Sequence, residues 1–164
     1  MKALFVSISI ICITVQLNAQ QLQSTDFKLA EGKWKGSLTY LDYTSGKPYT
    51  MPADIVVFIN PLNKNEVILQ HIYPDEPKAN GYDTLTINNN GTQLNSALVT
   101  GNTFIKTIKT IVTEEKAVDG NDRKPATIKH TYTISNDSFI IKKEVLFNET
   151  TNWLLRNTYS FLRN

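Results

Sequence analysis

The chain after residue 20 alternates between apolar and polar positions in short runs that end at turn residues. Along one run, Ile128, His130, Tyr132 and Ile134 fall on one face, and threonines and a lysine fall on the other. A period of two indicates a strand with one covered face and one wet face. The runs that predict strands in this way are Lys33–Leu41, Ala53–Ile59, Glu66–Tyr73, Tyr82–Ile87, Gln93–Val99, Thr103–Glu114, Thr127–Ser135, Ser138–Phe147 and Trp153–Leu162.

The connections between these runs are short and rich in residues that form turns. Asn90-Gly91 and Asn136-Asp137 predict tight hairpins, because asparagine, aspartate and glycine tolerate the backbone angles that such turns need. Only Gln21–Lys28 favours a short turn or helix. Consecutive strands without helical crossovers pair antiparallel, and a barrel or a sandwich manages their exposed edges. The pattern therefore predicts an all-β domain of one of these two kinds.

The first residues have the composition of an export signal. Met1-Lys2 gives a positive start, Ala3–Val15 is mostly apolar, and Leu17-Asn18-Ala19 offers a cleavage site. We expect residues 1–19 to be a signal peptide and residues 20–164 to be one exported domain, periplasmic, on the outer surface or secreted. A retained membrane anchor is the alternative. The only cysteine, Cys12, lies in the signal, so no disulfide is expected in the mature domain.

Charge gives no indication of a nucleic-acid or membrane partner. The chain carries 17 basic and 15 acidic residues, and these are scattered along it. Binding to nucleic acid or to an anionic membrane would require a concentrated basic field. We therefore expect neither partner.

One short motif favours the barrel over the sandwich. Gly32-Lys33-Trp34, at the start of the first predicted strand, resembles the G-x-W motif of the lipocalin and wider calycin group. The resemblance implies an antiparallel up-and-down barrel of about eight to ten strands, entered through a short helical turn at Asp26–Glu31. It also implies that Trp34 closes one end, next to Gly32, and that a basic residue near the last strand packs on its ring. Arg156 and Arg163 are the candidates, and Arg156 is favoured. Because no terminal helix follows the last predicted strand, the likeness is to a minimal bacterial variant.

A lipocalin-like barrel holds its ligand inside, so the inward polar residues are the candidate ligand contacts. His130 and His71 both lie in apolar alternations, and Tyr40 brackets the first long connection, which would lie at the open mouth. The candidate ligand-binding residues are His130, Tyr132, His71, Tyr40, Asn157 and Tyr159. They predict a small apolar or amphipathic ligand that is desolvated in a preformed cavity. Alternatively, the histidines are structural groups bonded to a tyrosine or the backbone, and the connection is pinned by its own aromatic residues.

Catalysis and metal binding lack sequence support. A metal site normally takes three or four convergent ligands, and the two histidines have no companions at ligand spacing, although haem or a transition metal stays an alternative. No G-x-S-x-G or H-E-x-x-H motif is present. We therefore expect no catalytic residues, no metal site and no cofactor. The competing hypothesis is an envelope protein-interaction or structural domain, whose barrel is filled by its own side chains.

Overall fold

The computed structural model describes residues 21–163, so the predicted signal peptide lies outside the described residues. The described part contains two short 3-10 helices and eleven strands. The first helix, Ser24–Ala30, is named the capping helix, and the second is Pro77–Ala79. The strands are β1 (Gly32–Leu41), β2 (Pro48–Pro52), β3 (Asp54–Ile59), β4 (Glu66–Ile72), β5 (Gly81–Thr86), β6 (Gln93–Leu94), β7 (Ala97–Ile105), β8 (Ile108–Asp119), β9 (Lys124–Ile134), β10 (Ser138–Phe147) and β11 (Leu154–Arg163).

All strands belong to one antiparallel sheet that curls into a nearly closed barrel. The order is β5-β4-β3-β1-β11-β10-β9-β8-β7-β6, with β2 also paired to β1. The last strand therefore lies beside the first. The two ends of this order meet where Ile87 and Leu94 form a bridge. The predicted all-β antiparallel barrel is confirmed.

The first strand has two partners on one side because the wall bends there. Residues Gly32–Trp34 of β1 pair with β3, whereas Ser37–Leu41 pair with β2. Gly36 lies at the bend, where a Cβ atom would lie 2.1 Å from the carbonyl oxygen of Ser160 on β11. Only glycine permits so close an approach between neighbouring strands. Strand β2 was not predicted, because its two prolines and its mostly exposed residues give it the appearance of a loop.

Two of the predicted strands are each divided by a turn. Gln93–Val99 is divided by a tight turn at Asn95, which has a φ of 54°, into β6 and the start of β7. Thr103–Glu114 is divided by a second tight turn after Ile105, where Lys106 has a φ of 57°. Left-handed angles are unusual for lysine, and the sequence at this turn offers no glycine or asparagine as a signal.

The capping helix covers one end of the barrel, named the closed end. Trp34 is 1% exposed and donates a hydrogen bond from Nε1 to the carbonyl oxygen of Ala30, at 2.7 Å. Phe27 of the helix packs edge-on against Tyr132, with ring centroids 5.7 Å apart. The buried Lys109 Nζ also lies 2.6 Å from Asp26 Oδ1. Apolar packing and one buried ion pair therefore attach the helix to the strands.

The basic residue that packs on Trp34 is Arg163, not Arg156 as expected. The guanidinium carbon of Arg163 lies 4.0 Å from the centroid of the Trp34 ring, a cation–π contact. Arg156 instead lies towards the opposite end, named the far end, where its Nε is 2.5 Å from Asp119 Oδ2. The reason is the length of the last strand. It continues to Arg163, whose Cα pairs with that of Trp34.

The far end has its own small core. Ala126, Ile128 and Val145 are buried together, with Ala117 and Phe147 packed against them. Among the residues described, no helix is long and apolar enough to cross a membrane.

Candidate functional site

A cavity of about 270 Å³ lies inside the barrel, beyond the packed core of the closed end. The strands place its side chains by their alternation: β8 contributes Thr113 and Glu115 after the buried Ile111, and β4 contributes Leu69 and then His71. Five of the six candidate ligand-binding residues line this one cavity, namely His71, His130, Tyr132, Asn157 and Tyr159. The fold therefore brings together residues that are widely separated along the chain.

His71 is a buried polar group of the cavity. Its side chain is 9% exposed, and its Nε2 lies 3.2 Å from Asp83 Oδ2. Burial lowers the pKa of His71 below its ordinary value, and the carboxylate of Asp83 only partly opposes this effect. The ring is therefore neutral at pH 7, with the Nε2–H donating to Asp83. Its Nδ1 is then an acceptor, and this buried atom has no hydrogen-bond partner among the described residues.

His130 forms part of the opposite wall, on β9. Its ring centroid lies 6.4 Å from that of Tyr132. Burial, and after it the positive charge of Lys143, lowers the pKa of His130, while Glu115 partly opposes them. Lys143 itself is held by Asp119, with Nζ 2.9 Å from Oδ1. Both histidines of the chain are therefore neutral groups of the same cavity.

Two tyrosines complete the polar wall. The hydroxyl oxygens of Tyr159 and Tyr73 are 2.9 Å apart, and the Tyr159 ring lies 5.3 Å from that of His71. Burial raises the pKa of Tyr159 and of Tyr132 well above the ordinary range of a phenol. The phenols are therefore uncharged, and they can donate or accept hydrogen bonds. The apolar remainder of the lining consists of Leu69, Leu85, Leu94, Ala97 and Ile141.

The barrel wall is interrupted beside this cavity. The pairing of β7 with β8 ends at Leu98 and Glu114, and the far half of β8 continues as Glu115–Asp119. In the described part of the chain, that half of β8 pairs only with β9, and β5 pairs only with β4 along its length. A gap, named the side opening, therefore separates β5 from the far half of β8. Residues from both of its edges line the cavity.

The sequence analysis did not identify the two carboxylates at this opening. Asp83 projects from β5 and is 72% exposed, and Glu115 projects from β8 and accepts a hydrogen bond from Ser96 Oγ at 2.7 Å. A signal was present, since Glu115 follows Ile111 and Thr113 at a period of two and Asp83 precedes Leu85 at the same spacing. Extending each apolar alternation by one step would have placed both carboxylates on the inner face.

The remaining candidate contact, Tyr40, lies outside the cavity. It is on the same face of β1 as Leu38 but nearer the rim, with its ring 5.6 Å from that of Tyr49 on β2. The register places it opposite Asn157 of β11. The two tyrosines thus pack on each other at the edge of the barrel.

A β-bulge explains the position of Arg156. In the pairing of β10 with β11, Lys143 faces Asn157 and Glu144 faces Leu155, so Arg156 has no partner across the ladder. Such a bulge re-aims a side chain. Arg156 is directed to the buried carboxylate of Asp119 and also covers the ring of Tyr43, at 4.4 Å. Its role is therefore structural, at the far end rather than at Trp34.

The described residues contain no group of three or more histidine, cysteine, aspartate or glutamate side chains that could hold a metal ion. The polar side chains of the cavity are neutral imidazoles, neutral phenols, two amides, three aliphatic hydroxyls and two carboxylates. This set can form hydrogen bonds to a small molecule and can attract positive charge.

Comparison with known proteins gives a likeness of fold. No family model matches the chain, and no curated protein matches it. The crystal structure of Rv2717c from M. tuberculosis is similar over 85% of this chain and 97% of that chain, with 10% sequence identity and a TM-score of 0.55. A protein of unknown function from the DUF3598 family of Nostoc punctiforme has 12% identity over 88% of this chain and 50% of that chain. Its TM-score of 0.36 is too low to support a conclusion about the fold. The chain therefore shares a nearly closed antiparallel barrel with Rv2717c, while Gly32-Lys33-Trp34 remains its resemblance to lipocalins.

Proposed function

We propose that the barrel binds a small amphipathic molecule in the interior cavity. The observation that carries this proposal is the meeting of His71, His130, Tyr132, Asn157 and Tyr159 around one space of about 270 Å³. A space of this kind, mostly preformed and with a few convergent polar groups, is typical of small-molecule sites. The lining combines neutral polar groups and two carboxylates with leucine and isoleucine side chains.

The size of the cavity limits the ligand. Pockets for drug-sized ligands span roughly 300–1,000 Å³, and an apolar cavity of ~150 Å³ holds benzene. The present cavity therefore suits a molecule with one or two rings, or a short chain, and not a long fatty acid. Burial of the apolar part of the ligand would supply most of the affinity, and the polar wall would fix its orientation.

The unpaired Nδ1 of His71 supports a polar contact with the ligand. A buried acceptor without a partner costs about 1–3 kcal/mol. A ligand hydroxyl or N–H that reached this atom would recover part of that cost.

The proposed role of the cavity is binding without catalysis. We also propose that the protein is exported, and residues 1–19 are the sequence basis for this. N-terminal sequencing of the protein from its own host tests the export part.

Native mass spectrometry of the protein purified from its own host tests the binding role. We expect a stoichiometric small molecule that mild organic extraction releases. In the variant Ala97→Phe, a phenyl ring would fill the cavity, because Ala97 is buried in its lining. The matched control is Leu98→Phe, since the neighbouring Leu98 is 56% exposed on the outer face. Ala97→Phe should remove the bound mass, and Leu98→Phe should keep it.

A bare mass in the wild type, with no binding of small aromatic or aliphatic probes, would contradict the proposal. It would then favour the competing hypothesis, in which the outer surface of the barrel binds a protein partner. Equal retention of the molecule in the two variants would place the ligand elsewhere on the protein. Thermal unfolding of each variant shows whether the barrel is intact.

A further inference from the structure

We propose that the molecule in the cavity is an amine that carries its positive charge to the side opening, between Asp83 and Glu115. This inference rests on the proposed binding function and names the chemical class of its ligand. Its basis is the position of two carboxylates at the side opening. Asp83 lies on β5 and Glu115 on the far half of β8, which are the two strands that border the side opening.

The charge of the lining has one sign. Among the described residues that surround the cavity, Asp83 and Glu115 are acidic, and none is a lysine or an arginine. Lys143, whose positive charge acts on His130, is already paired with Asp119. The two histidines do not offset the acidic groups, because burial keeps them neutral. A ligand at this position therefore meets a net negative lining.

The negative charges of both carboxylates act on a phenol in the wall of the cavity. After burial, the negative charges of Asp83 and Glu115 are the further causes that raise the pKa of Tyr132. Asp83 also contributes to the raised pKa of Tyr159. An ammonium group placed near these phenols would be stabilised by the same charges. A ligand carboxylate at this position would be repelled by them.

The hydrogen-bonding groups also favour a donor on the ligand. Asp83 uses Oδ2 to bind His71, and Glu115 uses Oε2 to bind Ser96, which leaves the second oxygen of each carboxylate for a ligand N–H. His71 Nδ1 is a third acceptor, and no described residue pairs with it. An ammonium group has three N–H donors and no acceptor, so it matches this set. The faces of Tyr132 and Tyr159 can add cation–π attraction.

Three compounds with the same phenyl skeleton test the inference by isothermal titration calorimetry at pH 7.5 and low salt. They are phenethylamine, phenethyl alcohol and phenylacetate, which present a cation, a neutral hydroxyl and an anion. Charge-assisted hydrogen bonds are stronger than neutral ones, so we expect the amine to bind at least ~10-fold more tightly than the alcohol. Phenylacetate should bind most weakly.

The variants Asp83→Asn and Glu115→Gln remove the charges while keeping the shapes. We expect each to weaken phenethylamine binding by about 10-fold and the double variant to remove the preference for the amine, with the alcohol changed by less than about 2-fold. The control Asp122→Asn removes an equal charge from an exposed loop, where the side chain is 59% exposed, and should leave all three affinities unchanged.

The outcomes separate this inference from the function on which it rests. Binding of the alcohol that Ala97→Phe abolishes would support the cavity as a binding site, whatever the charge preference. Equal or tighter binding of phenylacetate, or an amine affinity that the double variant does not lower, would overturn the amine inference alone. If none of the three compounds binds, the amine inference is overturned, and native mass spectrometry then decides the fate of the binding proposal.

Discussion

Arg163 lies over the ring of Trp34, and its guanidinium also donates hydrogen bonds to two carbonyl oxygens that end the capping helix. The donor–acceptor distances are 2.6 Å to Leu29 and 3.1 Å to Glu31, and the Nε donates to Asn136 at 2.7 Å. One planar side chain thus joins the last strand, the first strand and the capping helix. This geometry suits arginine, because its donors form a rigid fork.

Loss of this arginine should destabilise the closed end. We expect Arg163→Ala to lower the free energy of unfolding by about 1–3 kcal/mol, because three hydrogen bonds from a charged group and the cation–π contact are removed. Arg163→Lys should recover only a small part, since an ammonium does not reach three carbonyl groups at once. Urea unfolding measures both. Lys47→Ala, in an exposed loop, is the control, and an equal loss there would contradict the assignment.

Gly36 should be intolerant of a side chain, because the neighbouring strand occupies the space of a Cβ atom. A methyl group at this position would lie 2.1 Å from the carbonyl oxygen of Ser160, so the backbone would have to move. We expect Gly36→Ala to cost about 3 kcal/mol or to prevent folding. The control is Gly81→Ala, where the atom nearest to an added methyl group would be the carbonyl oxygen of Ala79, at 3.9 Å. Comparable stability of the two variants in urea would show that β1 and β11 are farther apart at Gly36 than this approach of 2.1 Å implies.

Asp119 should stabilise the protein above about pH 4. Burial alone would raise its pKa, but hydrogen bonds and charges from Lys143 and Arg156 outweigh burial and leave the pKa of Asp119 below its usual 3.8. A lowered pKa means that the stabilisation is complete above the unfolded value and is lost as the pH falls through the folded value.

Replacing this carboxylate tests its role. Asp119→Ala leaves two cations near the far end without their partner, and breaking such a pair costs about 3–5 kcal/mol. We expect a loss at the lower end of that range at pH 7, and a smaller loss near pH 3, which is below the usual pKa of 3.8, so that the unfolded chain already binds the proton. Urea unfolding at the two pH values measures this difference, and Asp122→Ala is the exposed control. A loss independent of pH would contradict the ion-pair assignment.

The two histidines should make the protein less stable in mild acid. The pKa of His71 and of His130 is lowered from 6.5 chiefly by burial, so the unfolded chain takes up protons first as the pH falls. Their contribution to stability is complete above about pH 6.5 and is lost as the pH falls towards the folded values. Each histidine can then contribute a slope of up to about 1.4 kcal/mol per pH unit.

Urea unfolding between pH 7.5 and 5.5 measures this slope. Because the chain contains only two histidines, the double variant His71→Gln and His130→Gln should have a flat profile over this range. The single variants should each retain part of the slope. A double variant as pH-sensitive as the wild type would show that other groups are responsible.

The sequence predicted a strand well where residues with a high preference for strands lie between distinct turns. Ser138–Phe147 was predicted with the bounds of β10, because its isoleucine, valine and phenylalanine residues lie between two asparagine-containing turns. Strand β2 was missed because it buries only Met51. The turn at Lys106 was missed because its left-handed backbone is imposed by pairing across the hairpin, and lysine gives no local signal of it.

The sequence allowed several residues of the site to be predicted, but not the opening beside it. Period-two alternation put His71 and His130 each on the same strand face as apolar residues, and both side chains line the cavity. It could not show where β7 begins relative to β8, and this offset creates the side opening flanked by Asp83 and Glu115. The bulge at Arg156 likewise depends on pairing between strands, because it appears only when β11 is aligned with β10.

The side opening also separates the release of a bound molecule from the opening of the barrel wall, two events that are coupled in most enclosed sites. Because it lies where strand pairing ends, a molecule can leave the cavity without breaking a hydrogen bond of any ladder. For the proposed ligand, the residence time would then be set by side-chain motions at the two strand edges, on timescales far shorter than those of global unfolding. Substitutions that strengthen the closed end or the far end would raise the lifetime of the fold and leave the dwell time of a guest molecule unchanged.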